Sequence, residues 1–219
     1  MGFGLLTKKG LFLRRTPAHF FISLGRNCEP ALRFKEYYGA VDSTLLTYAG
    51  FYDPMTLPGL LKDTKVLLSD RLIPIESIHM FKFEKARLAF HYRHGFDASD
   101  LSAEEAECRS RVAYLIEKTD RIFQDDRKKL FVLTVWEPTE DAYAMVLQTA
   151  DILRTLTINY DFVVVTLKTK NQKWQKNEHY PELHFRFLTH FSPFDKVADP
   201  TFTDQKGWRR IWKEFPVQF

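Results

Sequence analysis

The chain is expected to fold as an α/β domain, a mostly parallel sheet flanked by helices, with a strand-loop-helix unit carrying Cys28. Three observations predict this. The runs Lys129–Trp136 and Phe162–Leu167 are apolar almost throughout, as strands covered on both faces are. Amphipathic helical segments stand between the apolar runs. Their order, β-α, then α-β-α-β-β-α, is the alternation that builds a parallel sheet with helical cover.

Residues 1–18 read as an irregular N-terminal arm ending at Pro17, and 19–219 as a single α/β domain. His19–Leu24 is a short apolar run and opens the sheet. Gly25-Arg26-Asn27-Cys28 is a turn, and Glu29–Tyr38 is a helix with Pro30 in its first turn and Gly39 as its stop. Loops and short helical turns are expected over 40–62, punctuated by Pro54 and Pro58. Lys65–Leu72 is expected as a strand, and Ser77–Phe83 with Arg87–Tyr92 as a hairpin or loop pair. Ser102–Gln124 is an amphipathic helix, with Val112, Leu115, Ile116 and Phe123 at helical spacing and Ser102 and Glu105 as a capping box. After the strand Lys129–Trp136 come the helix Thr139–Leu156, the strand Phe162–Leu167, a further strand His184–Leu188 and a closing helix Asp204–Phe215.

Composition narrows the function classes. Hydrophobic residues make up 45% and charged residues 27% of 219, close to globular averages, so the chain is neither disordered nor fibrous. No stretch approaches the roughly 20 apolar residues of a membrane span. The net charge of +4 is mild and its basic residues are mixed with 28 acids, which does not describe a nucleic-acid-binding face. Arg209, Arg210 and Lys213 form a small basic cluster that reads as solvated charge. Trp208 and Trp212, four apart, read as one packing face. The start, Met1-Gly-Phe-Gly-Leu-Leu-Thr7, is not a secretory signal, because its apolar residues precede Lys8 and Lys9, and Leu6 breaks a myristoylation pattern. A cytoplasmic setting with reduced thiols is the expectation.

The segment with chemistry is Ser23-Leu-Gly-Arg-Asn-Cys28. It puts a cysteine between an apolar strand and a helix, where open α/β sheets bind ligands. Helix N-termini offer free N–H groups and partial positive charge, which stabilise a thiolate and hold a developing oxyanion. Gly25 permits the tight turn, and Arg26 and Asn27 complete a substrate-binding and oxyanion loop. The opposing reading is a cysteine that merely packs. A base is required for catalysis. His94, beside Gly95 and Asp97, is the first choice, and His190, at a strand end before Ser192-Pro193, the second. His91 and His94 lack a third ligand at recognisable spacing, so no metal site is read. Asp125-Asp126 reads as a turn.

The residues 21–39, FISLGRNCEPALRFKEYYG, resemble the opening of a largely bacterial family labelled papain-like cysteine peptidases. That family shows an S-L-G-x-N-C start, an H-D-F-like element and a helix before an F-V strand. The corresponding stretches here are Tyr92-Arg-His94-Gly-Phe96, Arg111–Phe123 and Leu130-Phe-Val132. The resemblance implies Cys28 as nucleophile and His94 as its partner. Two departures stand out: Gly95 replaces an acid, and Asp42–Tyr48 replaces a P-F-D-W-like stretch. The strand-loop-helix nucleophile is also similar to that of SGNH hydrolases and of a capsule-biosynthesis family with a coenzyme-A-linked acyl-transfer role. Asp199-Pro-Thr-Phe202 then stands where SGNH enzymes have Asp-x-x-His, with Phe202 in place of the histidine. These likenesses imply acyl transfer or hydrolysis on a small-molecule, glycan or peptide substrate. They imply no required cofactor, with acyl-CoA as a donor. A papain-like peptidase and a non-catalytic binding module with a structural Cys28 are the alternatives.

Overall fold

A computed structural model of the chain describes residues 15–25, 28–39, 43–47, 49–51, 53–75, 80–91, 99–168, 174 and 178–218. The first strand, β1 (Phe20–Ser23), leads into helix α1 (Glu29–Tyr38). Pro30 sits in the first turn of α1, and Gly39 closes it at φ 80° with its N–H on the Lys35 carbonyl at 2.7 Å. A short region follows with β2 (Ala49–Phe51), α2 (Leu57–Lys62), α3 (Val66–Ser69), β3 (Leu72–Ile75), β4 (Met80–Phe83) and β5 (Leu88–Phe90). The chain then runs through α4 (Leu101–Gln124), β6 (Lys129–Val135), α5 (Glu140–Leu156), β7 (Tyr160–Leu167), β8 (Leu183–Leu188) and α6 (Gln205–Glu214).

Two sheets result. The main sheet has the order β1-β6-β7-β8, and every pair in it is parallel. The smaller is antiparallel, in the order β2-β5-β4-β3. Strand alternation assigns each main-sheet side chain to a face. Ile22, Phe131, Leu133, Phe162, Val164 and Phe185 pack with α4, α5 and the small sheet. Phe21, Leu130, Val132, Val163, Val165 and Leu188 pack with α1 and α6. β6 is buried throughout and β7 up to its last residue, so helices on both faces are obligatory. Trp208 and Trp212 stack at 5.2 Å inside the α1–α6 core, as their spacing predicts.

One polar residue in β6 needs explaining. Lys129 is fully buried at its first position. Its ammonium donates to the carbonyls of Asp125, Arg127 and Ile158, closing the turn from α4 into the sheet. Burial pushes its pKa below the ordinary lysine value.

Several local expectations are corrected. Lys65–Leu72 is not one strand. Asp63 accepts the Lys65 N–H at 3.1 Å and starts the turn that becomes α3. Buried Asp70 then accepts the N–H groups of Arg71, Lys85 and Ala86, which delays the strand until Leu72. The cap of α4 is Asp100, accepting from the Ala103 N–H at 3.1 Å, and not Ser102. Glu105 turns outward to Arg109 at 2.7 Å instead of closing a capping box. The pair expected over 77–92 is a hairpin, with Phe81 opposite Phe90 and Phe83 opposite Leu88. Its place in a second sheet with β2 and β3 was not anticipated. The start of the described chain is tied down: Ala18 bridges Val217, and Arg15 reaches Asp161.

At the amino ends of β7 and β8, Asp161 is held by Arg15 at 2.9 Å, Lys128 at 2.8 Å and His184 at 2.9 Å. Burial is the largest influence and raises its pKa, but the bonds from His184 and Lys128 together outweigh it and leave the carboxyl below its ordinary value. The unfolded state therefore binds the proton more readily. The stabilisation is complete above the unfolded value of about 3.9 and is lost as pH falls through the folded value. Asp161→Asn should cost roughly 2–4 kcal/mol in urea unfolding at neutral pH, and the difference from wild type should shrink in acid.

Gly25 and Gly39 both lie at positive φ, but only Gly25 is crowded: a Cβ there would meet the Phe51 ring at 2.5 Å, whereas Gly39 has open space. Gly25→Ala is expected to destabilise by about 2 kcal/mol or more and Gly39→Ala by about 1 kcal/mol, measured by the same unfolding assay.

Candidate functional site

The carboxyl ends of parallel strands are where open α/β folds bind ligands. At that edge β1 runs out at Ser23, and the Leu24 N–H makes one further ladder bond to the Val132 carbonyl at 2.9 Å. Gly25, at φ 85°, turns the chain beneath the Phe51 ring of the small sheet. Cys28 then occupies the N-cap of α1 at φ −84° and ψ 0°. Its carbonyl accepts the Leu32 N–H at 3.0 Å, so the helix begins directly beneath it. Its thiol is half-buried, makes no capping bond to the helix amides, and has no hydrogen bond to a described side chain; its own backbone N–H is the group that engages it.

Electrostatics at the thiol differ from the expectation of a lowered pKa. Burial pushes Cys28 above its ordinary value, and the adjacent Glu29 pushes the same way. Its own backbone N–H and the Arg33 guanidinium pull down without cancelling this. The resting form is the neutral thiol. Cys108, on α4, is fully buried and pushed up to about 12, again by burial.

Glu29 is the residue that sequence reasoning missed. It is 0% exposed, the first residue of α1. One carboxylate oxygen accepts from the Thr203 hydroxyl and from Trp208 Nε1 at 3.1 Å; the other accepts from the Ser192 N–H at 3.2 Å. The start of α1 is thereby tied to the loop after β8 and to the start of α6. Burial raises the Glu29 pKa, and its donors and Arg33 only partly offset that. The sequence carried a weak signal, an acid in the first helical turn beside Pro30, but nothing in it shows burial or names the donors.

The hydroxyls at this edge are under-used. Ser23 Oγ and Ser192 Oγ are buried and have no hydrogen-bond partner among the described residues. Ser23 alternates with Ile22 and so faces the α1–α6 side, where Glu29 is bonded to Thr203 and Trp208.

The remaining candidates fall in different places. His94, Arg26 and Asn27 lie outside the described residues, as do Gly95 and Asp97. His190 is exposed, with Nδ1 at 2.9 Å from the Thr189 hydroxyl, and it is not hydrogen-bonded to Cys28. The close His–Asp pair, His184 and Asp161, is at the amino ends of the strands, the opposite edge of the sheet. Asp199 caps a short turn through Thr201 at 2.8 Å, and Phe202 is 43% exposed, so this stretch forms no Asp–His pair. Asp125 binds Arg127 at 2.7 Å, the expected turn. No three metal-ligating side chains come together among the described residues. No helix among them is long and apolar enough to cross a membrane.

Two consequences of Glu29 are measurable. Removing its charge in Glu29→Gln should lower the apparent pKa of Cys28, read as a shift of the alkylation-versus-pH curve toward acid. Its own raised pKa means the folded state holds the proton more tightly than the unfolded chain. The contribution of Glu29 to stability should therefore be complete below the unfolded value of about 4.3 and be lost as pH rises through the folded value, a component of the pH profile absent in Glu29→Gln.

Comparison of the chain with protein-family models, with curated proteins and with solved structures finds no match.

Proposed function

We propose that the chain is a cysteine-nucleophile enzyme performing acyl transfer or hydrolysis on an ester, thioester or amide. One observation carries this reading. Cys28 stands at the N-cap of α1, at the carboxyl edge of a parallel sheet, with a half-buried sulfur that hydrogen-bonds to no described side chain. Such a position leaves the nucleophile free and puts helix amides behind the carbonyl it attacks.

In this reading the thiol rests neutral, because burial and Glu29 oppose the thiolate. A base must then take the proton as sulfur attacks the carbonyl carbon. His94 is our choice for that base, from the sequence, with His190 second. The C–S bond forms, the carbonyl electrons move to oxygen, and the Gly25–Cys28 loop with the first α1 amides holds the negative charge. Collapse expels the alcohol, thiol or amine with the proton returned by the histidine. Water or a second acceptor then releases the acyl group from sulfur. Substrates of this class include surface-polysaccharide precursors and small acyl donors such as acyl-CoA, in a cytoplasmic setting where both cysteines stay free. The parallel sheet beneath α1 favours acyl transfer over the papain-like peptidase reading, in which the cysteine heads a long helix against a separate β domain.

A second reading is a binding module in which Cys28 only packs. The raised thiol and the lack of an engaged imidazole among the described residues favour it.

Site-resolved alkylation against pH separates the two, with Cys108 as internal control. For the enzyme, Cys28 reacts far faster than Cys108, His94→Ala slows it, and Cys28→Ala abolishes turnover of a p-nitrophenyl ester or thioester. Equal slowness of the two thiols, with no turnover by wild type, sinks the catalytic reading.

A further inference from the structure

The basic cluster near the end of the chain acquires a structure that the sequence did not give it. α1 and α6 lie side by side on one face of the main sheet, and a groove of about 340 Å³ runs between them. That volume lies at the small end of the range for small-molecule sites. α6 contributes Gln205, Arg209 and Lys213, at four-residue spacing on one helix face, and α1 contributes Arg33, Glu36 and Tyr37. The inner wall is Trp208 and Trp212, each 1% exposed.

The charges do not balance locally. Glu36, the acid in the groove, is taken by Arg33 at 2.9 Å. Arg209 and Lys213 have no carboxylate partner among the described residues. Arg33 is only 3% exposed, its guanidinium held by Glu36 and the Val197 carbonyl, and its buried Nε has no acceptor among the described residues. Trp212 Nε1 is likewise buried without one. Tyr37, 39% exposed, adds a flat apolar wall.

We propose that this groove binds a small organic phosphate, its phosphoryl group held by Arg209 and Lys213 and its ring or apolar part laid against Tyr37. A forked guanidinium and an ammonium one turn apart on α6 match a dianionic phosphate better than a single carboxylate. Arg33 lies five residues after Cys28, about 7.5 Å along the helix axis. Trp208 joins the two regions directly, since it lines the groove and donates to Glu29. Binding in the groove does not depend on the chemistry proposed for Cys28, and the test reads binding alone.

Phenyl phosphate is the probe, titrated by calorimetry into the full chain. Saturable binding is expected, with phenol binding far more weakly. Arg209→Ala/Lys213→Ala should weaken it by roughly tenfold or more through the lost charge-assisted bonds. Lys206→Ala/Arg210→Ala removes the same charge from α6 at positions outside the groove and should leave affinity within about twofold. Lys213→Gln alone, a milder change, keeps the comparison readable if the double variant loses structure by circular dichroism. The proposal is overturned by an absence of saturable binding at millimolar probe. It is equally overturned by the same loss in both double variants, by phenol binding as tightly, or by a short DNA duplex binding where phenyl phosphate does not.

Discussion

Burial of β6 and β7 on both faces is the constraint from which the rest of the molecule follows. Parallel strands with apolar side chains on each side cannot leave either face to water. Phe131, Leu133, Phe162 and Val164 therefore require α4 and α5, while Leu130, Val132, Val163 and Val165 require α1 and α6. Once α1 must cover β1 and β6 from that second face, its N-terminus has to emerge at the carboxyl edge of the sheet. Cys28 and Glu29 stand at that edge because of packing, before any argument about chemistry begins.

Glu29 then fixes how the edge is closed. A carboxylate with no exposure is tolerated only where donors replace its lost water. Thr203, Trp208 and the Ser192 N–H supply them, and in doing so they draw the start of α1 to a stretch of chain 163 to 179 residues away. Asp204 extends the same closure, capping α6 through the Gly207 N–H and holding the Thr189 N–H. The close approach of α6 to the sheet depends on Gly207, where a Cβ would meet Leu188 at 2.4 Å. The same carboxylate that organises this edge opposes ionisation of its neighbour Cys28. A nucleophile here depends on proton transfer during attack, and not on a thiolate stored in advance.

Legibility differed by element for identifiable reasons. The helix ending at Gln124, the strand from Lys129 and the helix to Leu156 carry long periodic or uniformly apolar patterns, and each was readable to within a residue or two. Val66–Ser69 was not. An apolar run of that length fits strand or helix, and Asp63 and Asp70, acting through backbone N–H groups, decided for a turn. Asp100 displaced Ser102 as the α4 cap for a similarly local reason: both residue types can cap, and only the observed bond to Ala103 chooses between them. In the candidate site, Cys28 and the Gly25 turn were legible because strand, glycine and helix start are contiguous. The donors to Glu29 were not, because they come from 163 to 179 residues away.

The amino-acid sequence by itself determined the α/β class, the succession of the main strands and helices, and the position of a cysteine at a strand-to-helix junction. Those properties depend on periodicity and on turn residues, which act over a few positions. Tertiary structure alone decided that Trp208 and Arg33 share a groove, that Glu29 is buried with three donors, and that the Cys28 thiol is raised. Solvation and charge at a point depend on everything that surrounds it in space, and that neighbourhood exists only once the chain has packed.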